Sequence, residues 1–400
     1  MRKRILLLLI STFTLACFSQ SKYERDFHVF WEMMDKEYAY FDKKETDWQK
    51  VKELYEPRAK KITKDWEFTY LIELIKYELY DSHVGLNRNV PFSFRLIPND
   101  TDAWIVYKKG KYIVSDLRSG YRIIDSGIKI GSELISINDK KIEDLVQKNL
   151  PATIKSINDE IRSYIANLLF AGRHNEPRKV TVSYKGSKST FELQKATRIE
   201  QNSGLLYSEV IDGNIGYIKI NNTLMENGLI TEFIQKVDEF SDTKSIIIDL
   251  RDTHSGGNTT VAKAIMGKFI TETMPYQIHE LVYDERQYGI KRKYIELLSP
   301  LSKPYTKPVY VLVGRWTGSV GEAIAQGFSS ISSAKVVGTE MAKLLGAIRC
   351  EVLPETKLSI CFPFEKLYSS KGIPREDFIP EIKTNTSIET YKKVRELLNE

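Results

Sequence analysis

Apolar residues recur at helical spacing between residues 23 and 80: Phe27, Phe30, Trp31 and Met34, then Trp66, Tyr70, Leu71, Leu74 and Ile75. The spacing predicts a small helical unit, and the stretch from Pro91 to Pro98 breaks it. Between residues 100 and 197 the pattern is mainly that of strands. Ala103-Trp-Ile-Val-Tyr107 and Tyr112-Ile-Val114 are rich in strand formers, and Val180–Tyr184 with Thr190–Leu193 predicts a hairpin turning at Lys185-Gly186. Gly131 precedes an alternating strand that ends at Asn138-Asp139, a short helix follows at Ile142–Val146, and Ser156–Phe170 reads as an inserted helix. From Gly213 onward strands and helices alternate. Ile215–Ile220, Ser245–Leu250 and Val309–Val313 are strands, and Leu229–Phe240, Val261–Phe269 and Val320–Phe328 are helices, which predicts an α/β layered core.

Within that core, Ser319 stands out. It lies between a buried strand, a short turn (Gly314-Arg-Trp-Thr-Gly318) and a helix. The backbone N–H groups at a helix start point outward and can hold a developing oxyanion, so a nucleophilic serine belongs at such a junction. The plainer reading is a capping serine, since serine is a favoured N-cap.

Composition narrows the picture only a little. With 42% apolar and 28% charged residues in 400, the chain has the balance of a soluble globular protein of two or three domains. The net charge of +6 includes Arg2, Lys3 and Arg4, and the remaining charges form no block, so nucleic-acid binding is not expected. Arg2-Lys-Arg4, the apolar run from Ile5 and the small residues around Ala16–Ser19 make up an export signal too short to span a bilayer. Cleavage near Ser19 predicts a soluble exported protein, periplasmic or extracellular. Thr14-Leu-Ala-Cys17 also resembles a lipoprotein box displaced by one residue, so lipidation at Cys17, and with it membrane attachment, is the alternative. Cys350 and Cys361 flank Pro354–Lys357 symmetrically, which predicts that they face each other across a hairpin, either as a disulfide or as two half-buried thiols.

Four segments carry candidate chemistry: Asp81-Ser-His-Val-Gly85, Asp249-Leu-Arg-Asp-Thr-His-Ser-Gly-Gly-Asn258, Ser319 with Glu322, and Gly372–Glu381. All five histidines (28, 83, 174, 254 and 279) precede Ser319, and Thr317-Gly-Ser-Val-Gly321 is not G-x-S-x-G, so an α/β-hydrolase order is excluded. No His, Cys or acidic cluster along the chain has metal-ligand spacing, and no cofactor is called for.

On Asp249-Leu-Arg251 leading to Gly256-Gly257, and on Thr317–Glu322, the chain resembles the C-terminal processing and tricorn-type serine peptidases. One extra residue sits in the turn before the paired glycines, and the family's asparagine there is absent. The resemblance covers nearly the whole mature chain. It implies an α/β crotonase-like (Clp-protease-like) catalytic core, an N-terminal helical unit and a PDZ-like β-rich domain. The strand from Gly131 into Asn138-Asp139 matches the PDZ pattern. The implied layout is 1–19 signal, 20–95 helical unit carrying Ser82-His83, 96–200 PDZ-like domain and 201–400 peptidase core.

The resemblance also implies roles. Ser82-His83 matches the tricorn-like branch, in which histidine is the base for the Ser319 nucleophile and a second serine relays to a glutamate. Glu376 is the best match to that glutamate, with Asp377 and Glu381 as rivals. The oxyanion hole falls to the backbone of Gly257 or Gly256 together with Val320. In the other branch a lysine is the base; Lys343 is its nearest counterpart here but lacks glycine neighbours. The expected substrates are proteins or peptides. The rival readings are an inactive peptide-binding protein on the same scaffold and an acyl-CoA enzyme of the crotonase fold. Taken singly, His83 reads as a structural histidine, Asp249 and Arg251 as a strand-end ion pair, Glu322 as a first-turn carboxylate favoured by the helix dipole, and His254 as loop surface.

Overall fold

The computed structural model describes residues 20–199 and 204–399. The expected signal segment and Cys17 lie outside the described residues. Among the described residues no helix is long and apolar enough to cross a membrane.

Three helices open the chain: Lys22–Glu37, Trp48–Ala59 and Asp65–Glu78. The first is capped by the Ser21 hydroxyl and the second by Asp47. Their inward faces, with Phe27, Phe30, Trp31, Met34, Phe68 and Ile75, close one core together with Leu353, Leu358, Ile360 and Phe362 from far down the chain. A β-rich region follows. Its antiparallel sheet runs Ala103–Lys108, Lys111–Leu117, Glu133–Ile137, Arg178–Tyr184, Ser187–Leu193, with the short Lys140–Lys141 strand on Glu133–Ile137. The expected hairpin at Lys185-Gly186 is present, and both residues have positive φ (49° and 85°), the geometry whose twist suits adjacent strands. The inserted helix spans Asp159–Ala171 and packs on Ala103–Lys108.

The α/β core is a six-stranded sheet in the order Ile382–Lys383, Ala334–Gly338, Val309–Val313, Ser245–Asp249, Ile215–Ile220, Leu206–Ile211. All neighbours are parallel except the last pair. The strand Ser245–Asp249 is buried on both faces: Ile246 and Ile248 join the core under helices Gly228–Glu239, Thr259–Gly267 and Val320–Phe328, while Ile247 meets Val394 of the C-terminal helix Ser387–Asn399. Because Asp249 lies level with Leu312, the loops leaving both strands emerge side by side at the carboxyl edge of the sheet. In open parallel sheets ligands bind at that edge.

A further antiparallel sheet was not foreseen. Ser359–Ser369 is its hub, joined by Gly85–Leu86, Met274–Leu281 and Ala347–Val352, with Arg292–Leu298 on Met274–Leu281. Gly85 pairs with Cys361, and Cys361 pairs on its other side with Cys350, to which it is joined by a disulfide. The hairpin expected from the cysteine spacing is therefore present and its sulfurs are linked. The bridge spans 11 positions. Constraining so short a loop in the unfolded chain stabilises by about 2–3 kcal/mol. Reduction by a dithiol is expected to lower the denaturant midpoint of the wild type and leave a Cys350→Ser/Cys361→Ser variant unmoved. Equal midpoints with and without reductant would contradict a stabilising role.

Candidate active site

Ser319 occupies the N-cap position of helix Val320–Phe328, yet its backbone is at φ 52°, ψ −113°. Ordinary caps in this chain are extended: Ser21 has φ −65°, ψ 159°, and Asn258 has φ −110°, ψ 152°. A non-glycine residue in such a conformation costs on the order of 1–3 kcal/mol and persists only where its surroundings enforce it. The surroundings here are tight. A Cβ on Gly318 would lie 2.6 Å from the carbonyl oxygen of His254, and one on Gly256 would lie 2.5 Å from the Ser319 Cβ. Only glycine lets the two loops meet backbone to backbone. The Thr317 hydroxyl donates to the Leu250 carbonyl at 2.8 Å and the Gly318 N–H to the Thr253 carbonyl at 3.3 Å, binding the elbow to the neighbouring loop.

Of the three expected oxyanion-hole donors, Gly256 spends its N–H on the Thr253 carbonyl at 3.3 Å. That corrects the Gly256 option, because a turn bond already uses the donor. The N–H groups of Gly257 and Val320 carry no backbone bond among the described residues.

Glu322 does more than favour a helix dipole. Its carboxylate accepts the N–H of Ser319 (2.8 Å), Lys343 (2.8 Å) and Leu344 (3.0 Å), clamping the elbow to the 343–346 turn. Burial raises its pKa to about 7, against the pull of Arg375 and of the three donors. Its folded pKa lies above the usual carboxylate value, so the native state binds a proton between about pH 4.5 and 7 that the unfolded chain does not, and this group's contribution to stability falls as pH rises through that window. An ionised carboxylate suits three donors, whereas glutamine turns an NH₂ group toward one of them. Glu322→Gln is therefore expected to cost about 1–3 kcal/mol of stability. Its kcat/KM should fall below wild type most at pH 8 and less at pH 6, where the wild-type carboxyl is itself protonated. A ratio independent of pH would contradict this assignment.

His83 is only 8% exposed. Its segment is fixed by Asp81, which accepts the His83 N–H (2.8 Å) and the Tyr38 hydroxyl (2.7 Å), and by the Gly85–Leu86 strand. The ring Nδ1 lies 2.5 Å from the Leu345 carbonyl oxygen. A carbonyl only accepts, so Nδ1 carries the proton and Nε2 keeps its lone pair. Burial, assisted by the charge of Arg375 and opposed by the Leu345 bond, holds the ring neutral, with its pKa lowered to about 3. The relay that the resemblance implies for Ser82 does not reach this nitrogen: the Leu345 carbonyl occupies the place. Ser82 instead lines a cavity of about 450 Å³ together with Lys343, Leu345 and Glu376.

Glu376 is 7% exposed; Oε1 meets Lys43 Nζ at 2.5 Å, and Oε2 is buried without a partner. Its rival Asp377 is exposed, 3.4 Å from Lys43 Nζ, and Glu381 is exposed. Lys343 points outward, half exposed, to Glu340 at 3.2 Å.

Asp249 and Arg251 form the expected structural pair, closed by the Tyr217 hydroxyl and tied to the Ser387 carbonyl. His254 is not loop surface. It is half-buried with Nδ1 3.0 Å from the Asn99 Oδ1, because residues of the β-rich region cover the loop. Chief among these is Arg118, buried and bonded through Nε and Nη2 to Asp252. The expectation of no cluster with metal-ligand spacing is corrected at Glu24, His28 and Glu56, which the fold brings together, but Lys60 lies 3.6 and 3.1 Å from the two carboxylates and already supplies positive charge. Two participants had no sequence signal: the Leu345 carbonyl, which any residue could supply, and Arg375, overlooked beside Glu376.

The comparisons with known proteins support a serine peptidase. Residues 214–383 match the model of Peptidase family S41, and residues 19–75 match that of the Tricorn protease C1 domain. Among solved structures, mature CPAF complexed with lactacystin is similar with a TM-score of 0.61 at 15% identity, covering 94% of this chain and 97% of that one. The photosystem II D1 C-terminal processing protease has a TM-score of 0.54 at 14% identity, covering 91% and 93%. A putative peptidase from Parabacteroides merdae has a TM-score of 0.55 at 14% identity, covering 94% and 97%. No curated protein sequence matches the chain.

Proposed function

We propose that the chain is an exported serine endopeptidase of the C-terminal processing type, with Ser319 as nucleophile and His83 as base. The backbone of Ser319, held at φ 52° and ψ −113° against a glycine-lined loop, is the observation that carries this reading. A strained strand-to-helix turn is how a catalytic serine is presented. In this mechanism Nε2 of His83 takes the Ser319 hydroxyl proton as the oxygen attacks the scissile carbonyl, then returns it to the leaving amine. The Gly257 and Val320 N–H groups stabilise the oxyanion.

Glu376 Oε2, buried and unpartnered beside the cavity that Ser82 lines, is an acceptor for the Ser82 hydroxyl. The pair faces the cavity and not the ring, whose Nδ1 is held by the Leu345 carbonyl. The β-rich region is the PDZ-like element: its Glu133–Ile137 strand runs into helix Ile142–Lys148 as that pattern requires. The parallel sheet is the crotonase-like core. The signal at residues 1–19 supports export to the periplasm or beyond, with Cys17 as the lipid anchor if it is acylated.

The test is cleavage profiling of a peptide library by wild type beside Ser319→Ala. Internal cleavages made by wild type alone are expected. Release of terminal residues only, or identical profiles from both proteins, would overturn the endopeptidase reading.

A further inference from the structure

We infer that Arg375 is a positioning residue for the histidine: it aims the Leu345 carbonyl at Nδ1 of His83 and so fixes which ring nitrogen is free to accept a proton. The inference rests on the reading of His83 as the base.

Arg375 is 3% exposed, and no carboxylate among the described residues pairs with it within salt-bridge distance. A buried guanidinium without a carboxylate partner is costly unless its N–H groups are used. One nitrogen, Nη2, donates to two backbone carbonyls, Leu344 at 2.5 Å and Gly346 at 2.6 Å. These are the residues on either side of Leu345, whose own carbonyl meets the His83 ring at 2.5 Å. Holding both flanking carbonyls toward the guanidinium orients the peptide units around Leu345. Gly346, at φ 52°, permits the turn; a Cβ there would lie 2.1 Å from the Glu365 carbonyl.

The opposite side of the same turn is held by Glu322, through the N–H groups of Lys343 and Leu344. The turn is thus stretched between a buried carboxylate, which also holds the nucleophile, and a buried guanidinium. The backbone two residues before Arg375 is held as well. The Ser369 N–H donates to the Ile373 carbonyl at 2.8 Å and the Gln326 amide donates to it at 3.2 Å, so helix Val320–Phe328 sets the arginine as well as the serine. One helix therefore places both the nucleophile and, through Arg375 and the 344–346 turn, the base.

The test pairs kinetics with a spectroscopic signature. Nitrogen-15 histidine labelling reports the tautomer of each of five rings, with His83→Ala assigning the signal. Wild type should show His83 protonated at Nδ1. Arg375→Met should mix the tautomers and lower kcat on the order of 100-fold with little change in KM, as misplacing a reacting group does. Arg375→Lys, which keeps the charge but lacks the fork, should fall between and remain informative if the methionine variant folds poorly.

A single unchanged tautomer in both variants overturns the proposal, whether kcat is retained or falls only in step with melting temperature. Wild type that shows the Nδ1–H tautomer but neither cleaves peptides nor reacts with a fluorophosphonate would sink the proposed function instead. The two failures are thereby distinguished.

Discussion

Replacing Ser319 by alanine is expected to abolish peptide hydrolysis while leaving the fold in place. The substitution removes one oxygen and keeps a Cβ at a backbone position already held by its neighbours, so the strained elbow has the same supports. Gly256 and Gly318 still pack against the turn, and Glu322 still accepts the residue-319 N–H. The chemistry has no substitute nucleophile, and losing it should lower kcat on the order of 10⁴-fold or more. Circular dichroism and melting temperature should match wild type. Near-normal turnover by the variant would remove Ser319 from the mechanism.

His83→Ala should be nearly as damaging, because nucleophile and base act as one unit. Lys343→Ala should be mild: the ammonium is half exposed and paired with Glu340, and the turn needs only its backbone N–H. The pH profile separates the two bases further. With the His83 ring depressed to about 3, the base stays unprotonated well below the usual histidine range, so once the Glu322 carboxyl that titrates near 7 is removed in Glu322→Gln, no histidine limb should remain near pH 6.5. A lysine base would instead lose activity as pH falls from the alkaline side. A variant series in which Lys343→Ala is dead and His83→Ala is active would reverse the assignment.

The core was legible because its strands are buried on both faces and its helices keep a 3.6-residue period; Ser245–Asp249 and Val320–Phe328 declare themselves in apolar runs. The five-stranded sheet around Ser359–Ser369 did not, because its partners come from residue 85, from 274–298 and from 347–352, and only the fold brings such distant segments together. The same distance hid how His83 is placed. Ser82-His83 could be recognised as a motif, but the Gly85–Cys361 pairing and the Leu345 carbonyl that fix it are backbone features with no residue signature. Glu322 was visible and undervalued: its spacing from Ser319 fits a helix cap, and its bonds to Lys343 and Leu344 cross 21 and 22 positions of chain.

The central claim is that the elbow holds an activated serine. Mass spectrometric mapping of a fluorophosphonate adduct tests it most directly, since that reagent labels a serine only when a base activates it. The account predicts one adduct, on Ser319, strongly slowed in His83→Ala and at the wild-type rate in Lys343→Ala. An unlabelled wild-type protein, or an adduct at any other residue, would contradict it.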